Sequence, residues 1–122
     1  MTLILVHRIQ AVMFALFGLG MLLAPGAMME GFNVGESSVG ESILQGMSVM
    51  VLGMAYISWK IPNWVGDNIK TVGMFFCYLH VAWGLLTIVH MANGTFPSDT
   101  ANLVGNLGPD LVLAVLFFWK SR

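Results

Sequence analysis

The sequence predicts an all-α fold: a bundle of four transmembrane helices, with the N and C termini on the same, cytoplasmic-type side of the membrane. Hydrophobic residues make up 57% of the 122-residue chain and charged residues 9%, and the mean hydropathy is +0.82. A water-facing domain of this length does not sustain such values. Between breaker residues the chain holds four segments of about 20 mainly apolar residues, enough to cross a hydrocarbon core, and they are apolar all round instead of along one stripe. All five basic residues, Arg8, Lys60, Lys70, Lys120 and Arg122, fall at one end of these segments, as in a chain whose Lys and Arg stay on the cytoplasmic side.

The first span is expected over residues 3–24, closed by Pro25-Gly26. Its only basic residue, Arg8, follows apolar residues instead of preceding them, so the segment reads as a retained span and not as a cleaved signal peptide. The second covers residues 38–61 and should stop at Pro62. The third covers residues 67–92, opening near Asp67, whose carboxylate suits a helix N-terminus, and ending at Asn93-Gly94. The fourth contains "NLGPDLVL", residues 106–113, with a proline and an acid inside an apolar run. A helix starting at Pro109 would leave about 12 residues rising ~18 Å, too little for a core ~30 Å thick. The fourth span is therefore expected over residues 101–120, with Pro109 inside it as a kink and Asp110 near mid-membrane. The linkers "PGAMMEGFNVGES", "PNWVG" and "NGTFPSDT" carry turn chemistry. None is long enough for a separate domain, so residues 1–122 read as a single integral membrane domain. The first and third linkers hold Glu30, Glu36 and Asp99 and no basic residue, while Trp59, Trp64 and Trp119 collect near the basic end as interfacial anchors.

A carboxylate at the depth of Asp110 has to face protein or a wet cavity, be paired, or carry a proton. Asn102, Asn106 and Asp110 recur every fourth residue and form one polar stripe. On the third span His80, Trp83, Thr87 and His90 share an arc, with His80 at the depth of Asp110. On the second, Glu41, Gln45 and Ser48 share a face. Three helices thus each bring polar residues to the same half of the membrane. One use of such stripes is interhelical hydrogen bonding, with Ser42, Gly46 and Gly53 on the second span and Gly105 and Gly108 on the fourth as a small-residue seam. The other is an outward-facing polar pocket for a proton or small molecule, with Asp110, His80, Glu41, Gln45, His90 and Asn106 as the candidate binding residues.

No metal site is expected. His80 and His90 stand ten residues apart on one helix, roughly 15 Å along its axis, and His7 belongs to the opposite end. A pigment needing a single axial histidine stays compatible with His80 or His90. Met47, Met50 and Met54 lie at helical spacing and Met28 and Met29 in a linker; core packing accounts for them at least as well as copper binding. Cys77 has no second cysteine to pair with. "NGT" at 93–95 matches a glycosylation acceptor, but lies close to the bilayer. There is no serine elbow, phosphate-binding glycine loop, Cys-x-x-Cys or zinc-spaced histidine pair, and no basic patch for nucleic acid.

"ALFGLGMLLAP" closing the first helix, "GESILQGMSVMVLGMAYISWK" as the second and a charged residue inside the fourth give a layout that resembles small four-helix integral membrane proteins of unknown function. The resemblance covers nearly the whole chain, and it implies a fold and no activity. In this chain the acid of the fourth helix follows a proline.

Two functions follow as expectations. The first is a non-enzymatic accessory or structural subunit of a larger membrane protein complex, since the chain has little mass outside its spans and no catalytic motif. Its partners would be the lipid bilayer and other membrane protein subunits or a second copy of itself. The alternative is a small-molecule or proton binding or transport protein using the pocket around Asp110, His80 and Glu41.

Overall fold

The structure, a computed structural model, describes every residue except Asn33, Val34 and Glu36, and leaves the Ala101 side chain undescribed. Glu36, counted above among the acids of the first linker, thus lies outside the described residues. Among the described residues the chain is helical with no strand: α1 (Leu3–Leu23), α2 (Pro25–Gly31), α3 (Ser38–Trp64), α4 (Ile69–Ala92), α5 (Thr100–Asn102) and α6 (Gly108–Ser121). Four stretches are long and apolar enough to cross a membrane: Leu3–Leu23, Ser38–Trp64, Gly66–Ala92 and Leu103–Ser121.

The ends of these helices follow from local chemistry. Pro25 lacks an N–H and restricts the residue before it. Ala24 leaves the helical region at φ −139°, and Pro25 opens α2 in a first-turn position, where its missing donor is harmless. The second span departs from expectation, because α3 continues through Pro62 to Trp64. A proline in the last turn leaves only one earlier carbonyl without its donor. A 3₁₀ turn, Gly66–Asn68, then leads into α4, and the cap residue Asn68 makes no side-chain capping bond. Gly66, at φ +52°, and Gly94, at φ +73°, hold the left-handed conformations that end α3 and α4.

The fourth span contains the largest departure. Ahead of Pro109 the helix is not a plain α-helix: α5 passes into a π turn, Leu103–Leu107, in which the Gly108 N–H reaches the Leu103 carbonyl, and α6 begins at Gly108. With five residues per hydrogen-bonded turn instead of four, the backbone accommodates the missing Pro109 N–H by widening.

The chain divides into two compact units. One holds His7–Pro62, and the other holds Met1–Val6 with Asn63–Arg122. In the first, Gln10 donates from Nε2 to Ser58 Oγ at 2.8 Å, with both residues fully buried. The Arg8 guanidinium stacks over Trp59, 3.8 Å from the ring centroid. A Cβ on Gly18 would lie 2.9 Å from Leu52 Cγ and 3.3 Å from the Leu52 backbone nitrogen, so α1 and α3 approach closely there. Of the small residues expected to form a seam, Gly46, Gly53 and Gly105 would each place a Cβ with nothing within 4 Å. Gly18→Ala is therefore expected to destabilise the protein by about 1–3 kcal/mol, while Gly46→Ala raises stability slightly through helix propensity. Unfolding of the two variants in mixed micelles of rising denaturing-detergent content measures both.

In the second unit α4 and α6 pack on each other. Their buried residues share one spacing: Gly73, Phe76, Cys77, His80, Gly84 and Thr87 on α4, and Leu113, Ala114, Phe117 and Ser121 on α6. This alternation of three and four residues is a helix-packing face. His80 occupies a core position of it, and Asp110 stands at α6 positions three and four residues before Leu113 and Ala114. The helices run antiparallel, since Phe76 stacks on Phe117 at 5.6 Å, Lys70 Nζ donates to the Arg122 carbonyl at 3.0 Å, and Leu107 and Leu111 lie against Gly84.

Candidate functional site

Midway along the α4–α6 interface, His80 Nδ1 and Asp110 Oδ1 are 2.7 Å apart. The His80 side chain is 6% exposed and that of Asp110 17%, so the pair is closed on the imidazole side and slightly open on the carboxylate side. The imidazole lies nearly parallel to Phe117, with ring centroids 6.0 Å apart and an interplanar angle of 12°. Stacking and the hydrogen bond together fix the ring.

The π turn precedes Asp110 directly, and a polar row leads from it to the linker at residues 93–99. Asp99 caps α5, its Oδ1 accepting from the Asn102 backbone N–H at 2.8 Å, and both its oxygens accept from Asn102 Nδ2, at 3.2 and 3.3 Å. Asn106 Nδ2 donates to Asn102 Oδ1 at 2.7 Å. Asn102 is buried, and Asn106 and Asp110 are half-buried.

The other expected members are placed differently. His90, in the last turn of α4, packs edge-on against Phe96 with centroids 5.3 Å apart, and its carbonyl accepts from Thr95 and Phe96. It belongs to the linker end and not to the His80–Asp110 pair. Thr87 donates back to the Trp83 carbonyl of its own helix at 3.1 Å, and Trp83 is 59% exposed, so the arc of His80, Trp83, Thr87 and His90 does not act as one surface. Glu41 and Gln45 belong to the other compact unit. There Glu41 Oε1 lies 3.3 Å from where a Cβ on Gly26 would be, and Gln45 Nε2 donates to the Leu22 carbonyl at 3.3 Å. That bond serves one of the carbonyls that the end of α1 leaves without a helical donor. Ser48 turns back to the Gln45 carbonyl at 2.6 Å.

Sequence reasoning did not anticipate the buried Gln10–Ser58 bond. The signal was available, since both lie toward the basic end of their spans, Gln10 beside Arg8 and Ser58 beside Lys60. Among the described residues, no three His, Cys, Asp or Glu side chains gather in a way that could hold a metal ion.

No protein-family model, curated protein or solved structure matches the chain. The chemistry of the site is therefore argued from its own geometry. It offers a carboxylate–imidazole pair in contact across the α4–α6 interface, bordered by amides and by the π turn.

Proposed function

We propose that this protein is a non-enzymatic integral membrane subunit whose α4 packs against a helix of another membrane protein. The supporting observation is Tyr78. It lies near the middle of the 27-residue stretch Gly66–Ala92 and is 65% exposed, on the side of α4 away from Phe76, Cys77 and His80. Tyrosine favours the membrane–water interface because its hydroxyl needs a hydrogen-bond partner. Lipid chains at mid-depth supply none, whereas a neighbouring helix presenting a serine, threonine or amide does.

Gentle extraction from the native membrane and a native-mass measurement test this reading. The chain should migrate in an assembly with a different protein. Tyr78→Phe should weaken that assembly about threefold, the equivalent of the ~0.6 kcal/mol typical of one interhelical hydrogen bond in a membrane. A single chain, a homo-oligomer, or an assembly indifferent to Tyr78→Phe overturns it.

The 2.7 Å contact between His80 and Asp110 favours a second reading, in which the protein binds a proton or a small polar solute at this pair. An amide in place of the carboxylate keeps the helices fastened and removes the charge. Under this reading Asp110→Asn leaves assembly intact and abolishes a pH-dependent activity.

A further inference from the structure

Resting on that second reading, we infer that the ligand of the His80–Asp110 pair is a proton, and that it enters along the Asn102–Asn106 edge from the end of the span where residues 93–99 lie. The pair is too closed for a solute. His80 is held against Phe117, the carboxylate is 17% exposed, and a solute would have to part a 2.7 Å contact to bond to either group. A proton needs no such opening.

The step balances simply. With a neutral imidazole donating its N–H to an ionised carboxylate, the pair carries one negative charge. Hydronium delivers one proton to the pair, which becomes neutral as imidazolium and carboxylate or as imidazole and carboxylic acid, and water is left behind. No other bond forms or breaks. In a low-dielectric surrounding the change from charged to neutral is the large electrostatic event.

Other titratable groups on the elements packed around the pair are few. Cys77 is buried on the same face of α4, Asp99 and His90 lie at the linker end, and Lys70 and Lys120 lie toward the opposite end. Among the described residues none of these forms an ion pair with Asp110. The entry side follows from the polar row. Asp99, Asn102 and Asn106 are joined by hydrogen bonds of 2.7–3.3 Å, and Asn106 ends one turn, roughly 6 Å of rise, from Asp110. The π turn, which carries Asn106, lies along this row.

Two measurements on the full-length protein in lipid nanodiscs test the inference separately. Infrared difference spectroscopy across a pH titration should show a band that changes on acidification and is missing in Asp110→Asn, either a carboxylic acid that appears or a carboxylate stretch that shifts as the histidine beside it gains a proton. If wild-type protein that stays folded shows no pH-dependent band missing in Asp110→Asn, the proton is overturned as the ligand, while a solute that protects the pair would still satisfy the second reading. In a Cys77→Ala background, a membrane-impermeant thiol reagent applied to the side of residues 93–99 should modify Asn102→Cys and Asn106→Cys. It should leave Val104→Cys, which is 68% exposed, at least tenfold slower, because thiolate chemistry needs water. Equal rates at Asn106→Cys and Val104→Cys, or modification of Asn106→Cys only from the other side, overturn the entry route.

Discussion

Asp110→Leu is expected to lower the stability of the protein by about 1–3 kcal/mol, the cost of leaving a buried polar group without its partner. The group that remains is His80 Nδ1, which loses the carboxylate held 2.7 Å from it inside the α4–α6 interface. Leucine has a similar bulk and suits the surrounding membrane, so packing and hydropathy alone would forecast no loss or even a gain. Asp110→Asn keeps an acceptor for the histidine and should fall within about 1 kcal/mol of wild type, in keeping with the modest worth of interhelical hydrogen bonds in membranes. Unfolding in mixed micelles separates the two variants. If leucine is tolerated as well as asparagine, the contact contributes nothing to holding α4 on α6.

Gly73→Leu is expected to have a comparable or larger effect, about 1–3 kcal/mol or more from overpacking, with loss of folded protein as the visible outcome. A Cβ on Gly73 would collide with Ser121 Oγ and lie 3.1 Å from Leu3 Cδ1. Both neighbours are buried, so neither side chain can swing into open space, and the end of α6 must move off α4. Gly84 on the same face is the control. The nearest atom to a Cβ there is Leu107 Cδ1 at 3.6 Å, ordinary contact, so Gly84→Ala should leave thermal stability within about 0.5 kcal/mol of wild type. Equal losses for the two substitutions would show that the close approach at Gly73 is not what limits the interface.

Much of the fold was legible in the sequence. Apolar length and breakers locate the four spans because a hydrocarbon solvent imposes a minimum length and forbids unpaired backbone. The partnership of His80 with Asp110 was legible from depth alone, since each stands near the middle of one of two consecutive spans. The facing of each helix was not. In a soluble helix the polar side marks the exterior, but on α4 every direction carries apolar residues, and the packing face is marked by Gly73, Cys77, His80, Gly84 and Thr87. Trp83 and His90 lie close to that arc in angle, yet one is exposed and the other packs on Phe96. Glycine is equally ambiguous: Gly18 and Gly73 lie under a neighbouring helix, whereas Gly46, Gly53 and Gly105 face nothing within 4 Å. Absence of a side chain permits a close approach without saying where one occurs. Pro109 foretold an irregularity, but a kink and a widened turn are both answers to one missing N–H, and the sequence does not choose between them.

The widened turn Leu103–Leu107 also sets a phase. A five-residue hydrogen-bonded turn is an α-helical turn with one surplus residue, and winding the same residues as a plain α-helix would rotate everything before it by about 100° around the helix axis. Asn102 would then stand about 80° around the helix from Asp110 instead of about 20°, although no polar side chain had been altered. The wide turn is thus what keeps Asn102 in phase with Asp110, and so the hydrogen-bonding pattern of this short stretch is as much a determinant of the site as its polar residues.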